Sequence, residues 1–199
     1  MSRGGEPAAG TPVPLLNIAN LLTMLRLALV PVFLVTLFVG GGHDQYWRWV
    51  TFGVFALASI TDRVDGSVAR RYGLVTDFGK IADPIADKAL TGAALLGLSV
   101  LGDLPWWVTI AILARELGIT LLRFWVIRIG VIPASRGGKL KTLLQILAIG
   151  LYLPMLPSAF NPLLWTMMGA AVVVTVVTGF DYVLQALRLR AGARERELH

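Results

Sequence analysis

The sequence predicts an all-α integral membrane protein with six transmembrane helices and both termini in the cytoplasm. Composition predicts the class, because 56% of the 199 residues are hydrophobic and only 15% are charged, whereas a soluble domain carries about 25% charged residues. The uneven distribution of basic residues between alternate connections predicts the orientation. The chain has no cysteine, which excludes disulfides and thiolate metal sites.

Apolar segments along the chain supply the predicted helices, because about 20 residues span the hydrocarbon core of a bilayer. The six segments cover approximately residues 21–40, 46–70, 79–101, 106–129, 141–156 and 162–187. The fifth segment is short and is bounded by proline. We predict a flexible Gly/Pro/Ala-rich cytoplasmic tail at 1–14, a six-helix transmembrane domain at 15–190 and a charged cytoplasmic tail at 191–199.

The basic residues predict which side of the membrane each connection faces. With a cytoplasmic N-terminus, the cytoplasmic side receives Arg70, Arg71, Arg136, Lys139, Lys141 and the arginines between 188 and 196. The opposite connections, at 40–46, 102–105 and 154–162, contain no Lys or Arg. Tryptophans cluster at that opposite interface, as in an aromatic belt, and they are Trp47, Trp49, Trp106, Trp107 and Trp165. We therefore expect a multi-pass protein of the cell membrane.

The net charge of +6 could in principle indicate nucleic acid as a partner. Because the basic residues lie beside predicted membrane spans, anionic lipid headgroups and phosphorylated substrates are the expected partners, and nucleic acid is not.

Residues 62–87 carry the most informative motif, which reads D-x2-D-G-x2-A-R-x8-G-x3-D-x3-D. At about 100° per residue, each half of the motif places its small and acidic residues on one helical face. These faces carry Asp62, Asp65, Gly66 and Ala69 on one helix, and Gly79, Asp83 and Asp87 on the next. Carboxylates that converge in apolar surroundings repel one another unless cations neutralise them, so the motif predicts a divalent metal site that faces the cytoplasm.

Each feature of the motif also has an ordinary structural explanation. A single aspartate near a span end can cap a helix or pair with a neighbouring base, here Arg63, Arg70, Lys80 or Lys88. The glycines can serve close helix packing or leave room for a phosphate. All these residues together on two faces are difficult to explain by structure alone, which favours the metal site.

The motif resembles the signature of the CDP-alcohol phosphatidyltransferase family at every defined position, including the eight-residue gap. Residues 17–26 resemble the amphipathic start of that family's first span. Residues 114–123 and 135–142 are similar to its phosphatidylglycerophosphate synthase branch, in the style of actinobacterial members. The resemblance covers about residues 15–187. It implies a homodimeric transferase that moves a phosphatidyl group from CDP-diacylglycerol to glycerol 3-phosphate and releases CMP.

The resemblance also implies roles for individual residues. Two divalent ions, Mg²⁺ or Mn²⁺, would be held by Asp62, Asp65, Asp83 and Asp87. Oxygen ligands suit these ions, and the motif has no His or Cys that would favour another metal. Asp87 would in addition be the general base for the attacking hydroxyl. The pocket for the cytidine diphosphate would be lined by Asn20, Gly66, Ala69, Arg70 and Gly79.

An acceptor that carries its own phosphate requires a second cationic site. The candidates are Arg115, Arg123, Lys139 and Lys141. Arg115 lies within an apolar run, where an unpaired guanidinium is costly, and its structural alternative is an ion pair with Glu116 or Asp181. Lys139 and Lys141 could alternatively belong to a positive-inside connection.

Other functions fit parts of the pattern. The same chemistry could use phosphatidylglycerol as acceptor, as in a cardiolipin synthase, or inositol phosphate. A Mg²⁺ transporter could also place carboxylates between helices, but it needs acids near mid-membrane and a polar path on both sides. Here the four acids lie toward one side, so the transferase is favoured.

Overall fold

The computed structural model describes residues 18–72, 77–126 and 136–197. These ranges form six α-helices and contain no β-strand: α1 (Ile18–Phe38), α2 (Gln45–Tyr72), α3 (Asp77–Val100), α4 (Trp106–Val126), α5 (Arg136–Tyr152) and α6 (Asn161–Glu197). For some helical residues the description covers the backbone alone, and these are residues 18–20, 63–72, 77–84, 87, 123–124, 126, 136–137, 139 and 191–197. The all-α class is confirmed.

Two of the helical stretches are long and apolar enough to cross a membrane by length and composition, namely Leu21–Gly42 and Ser158–Arg190. Two shorter apolar stretches are Lys88–Val100 and Leu140–Tyr152. The apolar run of α4 is interrupted by three charged residues, Arg115, Glu116 and Arg123. The six predicted spans therefore correspond to six helices in the described ranges, and the crossing of all six stays a prediction.

Helix α5 differs from the sequence-based boundaries at both of its ends. Helix α5 begins at Arg136 and ends at Tyr152, whereas the apolar pattern predicted 141–156. Pro154 disfavours helix at the residue before it, so the helix ends early. Helix α6 continues to Glu197, past the end of the apolar segment at 187, because its Arg, Ala and Glu residues are good helix formers.

Two ion pairs between different parts of the chain mark the two ends of the helix bundle. At the motif end, Arg26 of α1 forms an ion pair with Asp62 of α2. At the far end, Arg48 of α2 pairs with Asp103, which lies between α3 and α4.

The helices share one apolar core. Helix α1 packs against α2 and α3, while α6 packs against α4 and α5. All six helices contribute fully buried side chains, among them Phe33, Phe55, Leu95, Ile112, Ile149 and Met168. Gly97 allows the close approach of α1 to α3, because a Cβ there would collide with the side chain of Leu37.

Arg48 organises the far end. Its side chain is 1% exposed, and its Nε donates to the carbonyl of Leu153 at 2.7 Å. Its Nη2 donates to Asp103 Oδ2 at 2.5 Å and to the carbonyl of Tyr152 at 3.3 Å. Because the last carbonyls of a helix lack helical partners, Arg48 both caps α5 and ties it to α2 and to the α3–α4 connection.

Candidate functional site

The backbone places both halves of the acidic motif on helices, as predicted. Asp62, Asp65, Gly66, Ala69 and Arg70 lie near the C-terminal end of α2, while Gly79, Asp83 and Asp87 lie in the first half of α3. Asp62 is the only one of these motif residues whose side chain is described. The side chain of Asn20 on α1 lies outside the description as well. The assigned roles of these residues therefore stay predictions.

Asp62 is paired with a buried arginine. Arg26 Nη1 lies 2.5 Å from Asp62 Oδ1, and the side chains are 1% and 31% exposed. A guanidinium removed from water needs an opposite charge, since an uncompensated buried ion is strongly destabilising. Arg26 therefore orients the first carboxylate of the motif from a third helix.

Arg26 was not among the predicted site residues. The available signal was a lone arginine within the apolar first segment, which requires a partner. The sequence did not identify that partner, because Asp62 belongs to another helix and the motif offers several acids at similar depth.

The donor set fits a hard divalent cation. Carboxylates at helical spacing on two consecutive helices supply the oxygen ligands that Mg²⁺ and Mn²⁺ prefer. A carboxylate has two oxygens and about four lone-pair positions, so one carboxylate can accept an ion pair and bind a metal at the same time. Among the described side chains, no group of three or more His, Cys, Asp or Glu lies together, and the other three predicted ligands fall outside that set.

A second charged cluster joins α4, α5 and α6. Glu116 Oε1 accepts hydrogen bonds from Arg115 Nη1 at 3.2 Å and from Lys141 Nζ. Arg115 Nη2 donates to Thr178 Oγ1 at 3.1 Å. The structure thus brings together Arg115 and Lys141, two of the predicted acceptor residues, around one carboxylate. The side chains of the other two, Arg123 and Lys139, lie outside the description.

The pairing of Arg115 resolves one alternative left open by the sequence. Its counter-ion is Glu116, while Asp181 accepts from Gln185 Nε2 at 2.8 Å. The aliphatic part of Arg115 lies against Gly179, where a Cβ would stand 3.0 Å from Arg115 Cγ. Gly179 therefore provides room for Arg115 between α4 and α6.

A cavity of about 120 Å³ lies between α3, α4 and α5 and has both apolar and polar walls. Its polar wall consists of Lys88, Thr91, Glu116, Lys141, Thr142 and Gln145. Thr91 is one helical turn beyond Asp87, about 6 Å along the axis of α3. Ionisable residues inside a predicted membrane bundle are costly and typically functional, so the cavity is a candidate extension of the motif site.

A comparison with protein-family models identifies the family of this chain. The model of the CDP-alcohol phosphatidyltransferase family matches residues 16–177. The chain therefore belongs to this membrane-bound family, which confirms the class predicted from residues 62–87.

Individual relatives narrow the comparison. A protein of Mycobacterium tuberculosis (strain H37Rv) named probable phosphatidylglycerophosphate synthase is 58% identical over 179 residues, which is 90% of this chain and 86% of that protein. The CDP-diacylglycerol–glycerol-3-phosphate 3-phosphatidyltransferase of Bacillus subtilis (strain 168) is 37% identical, with 83% and 93% of the two chains covered. The enzyme of the same name from Rickettsia bellii is 36% identical, again over 83% and 93%.

Proposed function

We propose that this protein is a membrane phosphotransferase of phospholipid biosynthesis, a CDP-diacylglycerol–glycerol-3-phosphate 3-phosphatidyltransferase. It transfers the phosphatidyl group of CDP-diacylglycerol to glycerol 3-phosphate and yields phosphatidylglycerophosphate and CMP. The observation that carries the proposal is the complete acidic motif on two consecutive helices of a chain with 58% identity to a relative of that name.

Individual residues have distinct proposed roles in the transfer reaction. The primary hydroxyl oxygen of the acceptor attacks the β-phosphorus, and the bond from that phosphorus to the CMP oxygen breaks. Asp87 takes the hydroxyl proton, provided that it lies within hydrogen-bond reach. Arg70 binds the diphosphate as a planar fork, beside Asn20, Gly66, Ala69 and Gly79.

The carboxylates Asp62, Asp65, Asp83 and Asp87 are proposed to hold two divalent ions, Mg²⁺ or Mn²⁺. When bound, such ions would neutralise the diphosphate and stabilise the leaving oxygen. Arg26 supports this arrangement, because its ion pair at 2.5 Å fixes the orientation of Asp62.

The acceptor phosphate is proposed to bind beside Arg115, Arg123, Lys139 and Lys141. In the described cluster, Arg115 and Lys141 share the single carboxylate of Glu116. Cationic side chains at this position favour a phosphorylated acceptor over an uncharged alcohol.

The membrane arrangement belongs to the same proposal. All six helices cross the cell membrane, both termini are cytoplasmic, and the motif end faces the cytoplasm. Residues 1–14 and 191–199 are the cytoplasmic tails of a catalytic domain at 15–190, and the enzyme is a homodimer. The absence of Lys and Arg from the connections at 40–46, 102–105 and 154–162 supports this orientation.

A panel of acceptors tests the function. Purified protein is supplied with CDP-diacylglycerol and Mg²⁺, and CMP release is measured with glycerol 3-phosphate, inositol phosphate, phosphatidylglycerol or serine. We expect release with glycerol 3-phosphate far above the others. Release with inositol phosphate or phosphatidylglycerol, but not with glycerol 3-phosphate, would overturn the acceptor assignment and retain the class.

A further inference from the structure

We propose that Glu116 is a specificity-determining residue that recognises the middle hydroxyl of the acceptor. Its Oε2 atom would accept a hydrogen bond from that hydroxyl within the cavity between α3, α4 and α5. This inference rests on the proposed function, since it requires glycerol 3-phosphate as the acceptor.

The two oxygens of Glu116 have different surroundings. Oε1 accepts from both Arg115 and Lys141, whereas Oε2 makes no hydrogen bond to any residue in the described ranges. The side chain is 18% exposed and lines the cavity. An ionised carboxylate has two oxygens that accept hydrogen bonds, so Oε2 can receive a donor from a ligand that enters the cavity.

The chemistry of Oε2 selects a hydroxyl rather than a phosphate. An ionised carboxylate only accepts hydrogen bonds, and it repels a phosphate oxygen. Glycerol 3-phosphate offers a phosphate for the cationic residues, a primary hydroxyl for Asp87 and one remaining secondary hydroxyl. That secondary hydroxyl is the group left for Glu116.

The position and size of the cavity fit this assignment. Its wall includes Thr91, which lies one turn of α3 beyond Asp87. The primary and secondary hydroxyls of the acceptor are on adjacent carbons, so one hydroxyl could reach Asp87 while the other lies in the cavity. Its volume of about 120 Å³ is several times the roughly 10–15 Å³ that one water requires. The ion pairs through Oε1 hold the carboxylate in place, which reduces the entropy lost on binding.

The first test needs no variant. The kcat/KM of the wild-type enzyme is measured with glycerol 3-phosphate and with 3-hydroxypropyl phosphate. The second compound keeps the phosphate and the primary hydroxyl but lacks the middle hydroxyl. Loss of a hydrogen bond to a charged group predicts a kcat/KM lower by about ten- to a hundredfold for the analogue. Equal use of the two acceptors overturns the inference. Inactivity with both, together with activity on another acceptor of the panel, means instead that the proposed function is wrong.

The second test separates recognition by Glu116 from support of its cationic neighbours. In Glu116→Gln a neutral amide replaces the charged acceptor, so the preference for glycerol 3-phosphate over the analogue should fall to roughly threefold. Asp181→Asn is the matched control, because Asp181 is exposed and bonded to Gln185, and it should keep the wild-type preference. If Glu116→Gln slows both acceptors equally and the preference persists, Glu116 merely holds Arg115 and Lys141.

Discussion

Two buried arginines at opposite ends of the bundle make the same short contact in different surroundings. Arg26 and Arg48 are each 1% exposed, and each lies 2.5 Å from an aspartate oxygen. Around Arg48, the backbone carbonyls of Tyr152 and Leu153 at the end of α5 also accept hydrogen bonds. Around Arg26, the paired Asp62 begins a motif in which three more acids follow at helical spacing.

The difference shows that a buried ion pair does not by itself mark a functional site. The far-end pair joins three elements and stabilises their arrangement. The motif-end pair includes a carboxylate that is proposed to bind metal. Changes at the motif end should therefore reduce activity more than stability, and changes at the far end should do the reverse.

The largest expected effect is the loss of the metal site. EDTA should reduce CMP release to background, and added Mg²⁺ or Mn²⁺ should restore it. Asp65→Asn and Asp83→Asn should each remove most activity, because one metal-ligand carboxylate is lost, while the thermal transition in detergent stays near that of wild type. Full activity in either variant would contradict the two-metal proposal.

The far end should show the opposite behaviour. Arg48→Met removes the guanidinium, so Asp103 and the carbonyls of Tyr152 and Leu153 lose the donor that Arg48 supplies. Breaking a buried pair costs about 3–5 kcal/mol, which corresponds to a fall in Tm of about 10 °C. Activity per folded molecule, measured below the transition, should stay within about twofold of wild type, because Arg48 has no proposed contact with either substrate. A tenfold loss of activity would require a change of about 1.4 kcal/mol in the free energy of the reaction barrier. A large drop in turnover with an unchanged Tm would reverse the comparison.

The next effect distinguishes a base from a ligand within the motif. Asp87→Asn keeps one oxygen that can approach a metal but loses the proton acceptor. We expect turnover to fall by roughly 10² or more, with a much smaller change in affinity for CDP-diacylglycerol. If affinity falls as far as turnover, Asp87 acts chiefly as a ligand.

These contrasts also show what the sequence could and could not predict. The helical class and the location of the motif on two consecutive helices follow from local patterns, namely apolar length and i,i+3 or i,i+4 spacing. The end of α5 was wrong, because apolar content does not register the effect of Pro154.

Local sequence patterns could not predict which charged residues on different helices form ion pairs. Arg26 with Asp62, and Lys141 with Glu116, join residues on different helices. For Arg115 the sequence left Glu116 and Asp181 as alternatives, and the structure pairs Arg115 with Glu116. The cavity beside Glu116 was not predicted, since it depends on how three helices meet.

The smallest expected effect tests the acceptor phosphate site with single charges. Arg123→Ala and Lys139→Ala each delete one cation proposed to contact that phosphate. A charge-assisted contact contributes about 1.5–3 kcal/mol, so the KM for glycerol 3-phosphate should rise about ten- to a hundredfold. The KM for CDP-diacylglycerol should change little, because the acidic motif and Arg70 are proposed to bind the nucleotide.

Arg188→Ala is the matched control for these two variants, since Arg188 is exposed on α6 and has no proposed contact with either substrate. It should leave both Michaelis constants unchanged, which separates a specific contact from a general loss of positive charge. Arg115→Ala is a poorer choice, because Arg115 also bonds Glu116 and Thr178 and its removal would weaken packing between α4 and α6. If Arg123→Ala and Lys139→Ala both behave like the control, these two residues are ordinary positive-inside charges, and binding of the acceptor phosphate would fall to Arg115 and Lys141 around Glu116.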